Sequence, residues 1–333
     1  MNSMSVCRGT WIFIYSLLLS VLTLTAAAGE SQPANNNDWV RLQRMQQASE
    51  RLNYSGVFIY QMNAMSRSSR ITHLVDASGT HEKLEMLDGK PREYIRHNEE
   101  VSSYRPEQKM IVVEKQVGSS RFPGLSNALS PEIASYYSLK NLPAERVAGL
   151  ECEGLALEAR DRLRYSYHLW SDKSSGLLLK TEIFDEHGLP VEQIAFSEIR
   201  IGGPIDKKEI RSDFDHTEQW KIVQRNIMPA NLTGAGWQIN SPVAGFHPVH
   251  ELQRSMSEQA ETSQIVLSDG LSAISIFIRP YQDQPSNNVD MMHHGAIHVL
   301  SRRVADYWIT VVGEVPAAAI RQIADSVEYN AGK

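Results

Sequence analysis

The chain has 333 residues, of which 42% are hydrophobic and 22% charged, a globular composition that excludes a disordered chain and a multi-span membrane protein. At roughly 100 to 200 residues per domain this length predicts about two domains. The net charge is −6 and there is no basic tract, which argues against any function resting on a phosphate backbone and against a nucleic-acid partner.

Residues 1–28 read as a secretory signal peptide, with Arg8 in the positive n-region, Trp11 to Thr25 as the apolar h-region and Ala26-Ala27-Ala28 as the small-residue exit. The apolar run is about 15 residues, short of the roughly 20 needed to span a bilayer, so cleavage and export are expected rather than a retained anchor. Cys7 leaves with the signal and has no lipid-attachment pattern behind it, which predicts a soluble exported protein. Cys152 is then alone, so no internal disulfide is available. Glu151 and Glu153 flank it, and negative neighbours raise a thiol pKa; a structural thiol is expected.

Residues 29–37 form a polar, flexible lead-in that ends at Asn37, a candidate N-cap. Leu42, Met45, Ala48 and Leu52 then fall on one helical stripe, and Asn53 to Gly56 breaks it. Short strand-like runs follow at Val57 to Gln61, Arg70 to Val75, Glu82 to Leu87, Arg92 to His97, Glu100 to Tyr104 and Met110 to Glu114. Ser78-Gly79, Asp88-Gly89 and Asn98 supply the turns, and the spacing leaves no room for crossover helices, so antiparallel pairing is expected. A Ser/Gly/Pro loop at Gly118 to Ser130 precedes a short helix at Pro131 to Ser138. Strands are expected again at Arg146 to Ala159, Arg164 to Trp170, Leu177 to Phe184 and Val191 to Ile201. About ten strands in one domain, 38–212, predict a single large curved sheet.

Residues 213–236 lack a sustained period and carry Pro229, Gly234 and Gly236, the expected inter-domain linker. In 237–330, strands are expected at Gly245 to Arg254, Gln264 to Leu267, Ser272 to Arg279, Ala296 to Arg303 and Tyr307 to Val312. A terminal helix starts at Pro316, with Ile320, Ile323 and Val327 on one stripe.

No catalytic constellation assembles from these residues. Gly124-Leu125-Ser126-Asn127-Ala128 only echoes a nucleophile elbow, without the strand-to-helix turn that chemistry needs. His293, His294 and His298 lack the spacing of a metal motif and read as an exposed loop-edge cluster, although His294 and His298 would share one face of a strand. No catalytic residue, cofactor or metal is expected. A binding surface remains: Val57-Phe58-Ile59-Tyr60 and Leu177-Leu178-Leu179 are apolar at consecutive positions, so both faces of those strands want cover. Phe58, Tyr60, Leu74, Met86 and Trp170 are the candidates to line a concave face filled by helices, by a ligand or by both.

At Leu52-Asn53-Tyr54-Ser55-Gly56-Val57-Phe58-Ile59-Tyr60 the chain resembles the MucB/RseB family of exported sigma-factor regulatory proteins. The resemblance continues at Asp161-Arg162-Leu163-Arg164-Tyr165-Ser166-Tyr167-His168-Leu169-Trp170, Ser175 to Lys180, Ser268-Asp269-Gly270-Leu271-Ser272, Ser275 to Ile278 and Val311 to Pro316. It implies an α+β fold: a large N-terminal half-open antiparallel β-barrel with helices on its concave face, similar to LolA/LolB-type lipoprotein carriers, and a small C-terminal antiparallel sheet with one packed helix. It also implies a Gram-negative periplasmic home and a role in regulating an envelope-stress sigma factor. The implied partners are the periplasmic part of a membrane-spanning anti-sigma factor, shielded from its protease, and the acyl chains of lipid or lipopolysaccharide that relieve the shielding. Homo-oligomerisation, the partner-contacting residues and a gating role for residues 118–129 stay open. A periplasmic lipoprotein or lipid carrier is the alternative, one that does not need 237–330.

Overall fold

Helix α1 (Asn36–Arg51) forms because its apolar residues recur every three to four positions: Leu42, Met45 and Ala48 are buried in a row while Val40 points to solvent. Burying Leu42 and Met45 contributes about 1.5–3 kcal/mol each. The helix is also clamped by its arginines, since Arg41 Nη2 donates to the Gly154 carbonyl at 3.0 Å and Arg44 Nη2 to the Ser174 carbonyl at 2.6 Å. The structure, a computed structural model, describes residues 36–115, 123, 125, 129, 132–240, 243–256, 259–281 and 291–330. The expected signal peptide, the start of the lead-in and most of the loop at 118–130 lie outside the described residues. All described residues belong to one compact unit, Pro33–Lys333.

After α1 come β1 (Tyr54–Met62), β2 (Met65–Asp76), β3 (Gly79–Met86), β4 (Arg92–His97), β5 (Glu100–Arg105) and β6 (Met110–Lys115). A four-residue helix, α2 (Ile133–Tyr136), leads into β7 (Tyr137–Val147), β8 (Leu150–Ala159), β9 (Ser166–Asp172), β10 (Leu178–Phe184) and β11 (Pro190–Ile201). The chain returns β11 beside β1, giving the order β7-β8-β9-β10-β11-β1-β2-β3-β4-β5-β6, every pair antiparallel. The expected half-open barrel is thus an open sheet: among the described residues β7 and β6 end it without pairing to each other, and it does not close.

One hairpin departs from expectation. The run expected as one strand from Arg146 turns back at Ala148-Gly149, both at positive φ (+48° and +83°), and β7 precedes it. Alanine at a left-handed position gives no turn signal, and Pro143 within β7 masks a strand that absorbs it at a register break between Leu142 and Glu145.

The expected linker carries a strand as well. In β12 (Lys221–Pro229), Lys221 to Arg225 pair in parallel with β6, while Asn226 to Pro229 pair antiparallel with β14 (His247–Met256). A single strand therefore joins the two sheets edge to edge. Its exposed positions include the apolar Ile222 and Met228 while Arg225 lies on the less exposed side, so no apolar alternation marks it in the sequence. The second sheet runs β12-β14, then β15 (Gln259–Ser268), β16 (Ala273–Pro280), β19 (Tyr307–Glu314), β18 (Ile297–Val304) and β17 (Met291–His294). Helix α3 (Ala317–Asp325), capped by Pro316, buries Ala319, Ile320, Ile323 and Ala324 against Ile274, Ile276, Ile309 and Val311. Strands β13 (Trp237–Ile239) and β20 (Val327–Tyr329) pair separately.

Candidate functional site

Register decides which residues share a face, because directly opposed residues on neighbouring strands project to the same side. Leu155, Leu169, Thr181, Ile194 and Tyr60 align across β8, β9, β10, β11 and β1. This is the face covered by α1, whose Leu42 and Met45 share a core with Leu155, Leu157 and Leu169. Phe58 lies on it, aligned with Ser69 of β2 and Met86 of β3 and in edge-to-face contact with Phe196 at 6.0 Å. Phe58, Tyr60 and Met86 are therefore on one side of the sheet.

The other two cavity candidates are on the opposite side. Trp170 aligns with Lys180, Ala195 and Ile59; its indole N–H donates to the Pro143 carbonyl at 3.3 Å and the Lys180 ammonium lies 4.2 Å from the ring centre. Leu74 aligns with His81, on the face where Lys83 meets Asp213. By register the five residues do not share one face, although Phe58 and Trp170 belong to one buried core with Ala48, Leu177, Leu179 and Phe196.

What the structure does bring together are two stretches far apart in sequence, Asp161 to Trp170 and Ser268 to Ser272. The Asp269 Oδ1 accepts the backbone N–H groups of Leu271 and Ser272 at 3.0 and 2.9 Å, closing the turn between β15 and β16. Its Oδ2 accepts Arg164 Nη1 at 2.8 Å and the Tyr137 hydroxyl at 3.0 Å. Arg164 also donates to the Ala244 carbonyl at 2.6 Å and stacks over Tyr136 at 4.7 Å from the ring centre. Burial opposes its charge, and Asp161, Tyr137 and Asp269 more than offset that, so its pKa is raised. Burial, then the Asp269 charge, holds the Tyr137 hydroxyl well above its usual range.

Further contacts cross the same boundary. Tyr167 and Ser272 share a hydrogen bond of 2.7 Å, and the Ala296 N–H donates to Glu192 Oε1 at 2.7 Å. Ala296, at the β17–β18 turn, and Leu271 pack against the core beneath α1. The second sheet thus supplies part of the cover of the first. Sequence reasoning missed this junction; its only trace is an arginine placed just before a strand rich in aromatics and an aspartate opening a Gly turn, and neither names its partner.

Other charged clusters have local explanations. Glu85, Glu93 and Asp213 offer carboxylate oxygens within 4.8 Å of one another, but the Lys83 ammonium sits among them, 2.6 Å from Asp213 and 3.4 Å from Glu93. The lysine is the cation of that cluster, and it anchors residue 213 to β3. His293 and His298 are not on a loop edge; they are opposed residues of the β17–β18 hairpin, with ring centres 5.7 Å apart, while His294 faces Ile297 instead of sharing a face with His298. His298 Nδ1 is 2.9 Å from the Val315 carbonyl and 3.3 Å from the Tyr165 hydroxyl, at the domain boundary. Cys152 is fully buried, and burial, with Asp172 and Glu145 across the strands, pushes its thiol up to about 11. Those cross-strand partners, and not the chain neighbours Glu151 and Glu153, are the charges that act on it.

Among the described residues no helix is long and apolar enough to cross a membrane. Residues 37–214 match the family model described as the MucB/RseB N-terminal domain, and residues 231–328 match that of the MucB/RseB C-terminal domain. The sigma-E factor regulatory protein RseB of Escherichia coli K12 is 25% identical over 96% of this chain and 98% of its own length. The sigma factor AlgU regulatory protein MucB of Pseudomonas aeruginosa is 25% identical over 95% of this chain and 98% of its own. A solved complex of MucB with MucA(peri) superposes with a TM-score of 0.68 at 23% identity, covering 90% of this chain and 100% of that one.

Proposed function

The chain belongs to the MucB/RseB family, whose curated members are sigma-factor regulatory proteins and not enzymes, and from that premise we propose that it is a periplasmic negative regulator of an envelope-stress sigma factor. It binds the periplasmic part of a membrane-spanning anti-sigma factor through both domains and shields it from proteolysis. The observation that carries this reading is the junction at Arg164 and Asp269, which binds the second domain into the core of the first. A simple lipoprotein carrier has no use for such a docked domain, so the junction favours the regulator over the carrier. The full-length likeness to MucB solved with MucA(peri) supports the same partner class.

Lipid or lipopolysaccharide acyl chains are the proposed release signal, entering beside α1 against Phe58, Tyr60 and Met86. A twelve-carbon chain offers about 10 kcal/mol gross at roughly 0.8 kcal/mol per CH₂, from which association takes about 4 kcal/mol or more. Micromolar affinity is within that range. To release the partner, the lipid must favour the partner-free arrangement, because equal affinity for both states shifts nothing.

The test is calorimetric titration of the exported chain with the periplasmic domain of a MucA-type anti-sigma factor, with and without lipid micelles. Saturable one-site binding that lipid weakens supports the reading. Absence of binding, with recovery of acylated lipoproteins from periplasmic extract instead, supports the carrier.

A further inference from the structure

At the tip of the β17–β18 hairpin, Gly295 and Ala296 rest on the first domain. The Ala296 N–H donates to Glu192 of β11, and a side chain added at Gly295 would meet Glu192 Oε1 at 2.1 Å and the Met62 sulfur at 2.3 Å. Glu192 and Ala296 are both buried. Glu314, the last residue of β19, pairs with Ile297 beside the same tip and is the second acid of the contact. The contact thus brings one carboxyl group from each domain to the tip, Glu192 buried and Glu314 half-buried.

Among the described residues neither acid has an ion-pair partner. Tyr60 of β1 is in hydrogen-bonding reach of Glu192 and feels Glu314 as well, and Tyr165 and Tyr167 feel Glu314 from the side of β9. Asp185 and Glu186 of the β10–β11 turn are further negative charges acting on Tyr165. His298 and His293 stand on the hairpin itself, and burial, followed by the neighbouring His293, lowers the His298 pKa. Three tyrosine hydroxyls and a histidine held below its ordinary range give the two acids little charge to balance them.

We propose that Glu314, beside the hairpin tip that sits on Glu192, is an acid-tightened latch between the two domains: with the Glu314 carboxyl protonated the tip stays seated on β11, and with it ionised the tip lifts to hydrate it. Burial first, and the Glu192 charge second, push Glu314 up to about 7 from an ordinary 4.5. The docked state therefore holds a proton that the open state gives up. Docking is strongest below pH 4.5 and weakens as pH rises towards about 7 and beyond. Between pH 6 and 8.5 those two values give a roughly ten-fold increase in the opening equilibrium. This inference goes beyond the regulatory role and does not rest on it, since it concerns the free chain.

Hydrogen–deuterium exchange of the full chain, followed over residues 291–304 and corrected for the intrinsic pH dependence of exchange, tests it. Protection at Ala296 should fall about ten-fold from pH 6 to 8.5, while β16 and β19 stay constant. Glu314→Gln should abolish the dependence, and Glu192→Gln, carried in parallel in case the first variant does not fold, should shrink it. Protection constant within about two-fold in the wild type, or an undiminished dependence in whichever variants fold, overturns the latch.

Discussion

Arg164 and Asp269 face each other across the domain boundary with Nη1 2.8 Å from Oδ2 and both side chains at 0% exposure. A buried pair adds little by existing, yet removing one partner leaves an uncompensated charge that costs about 3–5 kcal/mol. Arg164→Ala and Asp269→Ala should each lower unfolding stability in urea by that order, and Arg164→Met with Asp269→Leu should recover part of the loss. Single variants within about 0.5 kcal/mol of wild type would mean that the pair does not hold the junction.

Gly295 has a φ of +57° and no room for a Cβ between Glu192 and Met62. A β-branched residue there adds backbone strain to overpacking, so Gly295→Val should cost about 3 kcal/mol. The destabilisation should appear in denaturant unfolding together with faster exchange of the Ala296 amide. A neutral Gly295→Val would mean the hairpin tip is not seated on β11.

Cys152 should react slowly. With its thiol pushed up to about 11 by burial, the thiolate fraction at pH 8 is about 100-fold below that of an ordinary cysteine. Iodoacetamide labelling of the native chain should be slower than that of the urea-unfolded chain by at least this factor. Equal rates in both states would contradict a buried thiol.

The lipid role makes a face-specific prediction. Tyr60→Gln and Met86→Gln, on the α1-covered face, should weaken binding of a fluorescent fatty acid by about ten-fold or more, the equivalent of two lost methylene contacts. Leu74→Gln, on the opposite face, should leave lipid affinity unchanged among variants that remain folded. Equal weakening in all three would place the ligand elsewhere.

Much of this fold is legible residue by residue. The α1 stripe and the turns at Gly79 and Asn98 need only local rules, and the strands they delimit fall within a few residues of expectation. The same rules fail where structure depends on a distant partner. Strand β12 shows no apolar alternation because Ile222 and Met228 face solvent while Arg225 does not, and its identity as a strand comes from β6 and β14. Apolar character alone grouped Leu74 and Trp170 with Phe58, because the sequence does not reveal the register that sends them to the other face. Arg164 resembled any surface arginine until Asp269 and Tyr136 enclosed it.

A regulator of this kind should protect its partner from proteolysis. A MucA-type periplasmic domain is digested by its initiating protease alone, with the full chain, and with a chain ending at Pro229 whose folding is checked by circular dichroism. The full chain at stoichiometric concentration should slow cleavage at least ten-fold, about 1.4 kcal/mol of shielding, and the shortened chain should lose most of this. Cleavage at the same rate with and without the full chain, or equal protection by the shortened one, would contradict a regulator that works through both domains.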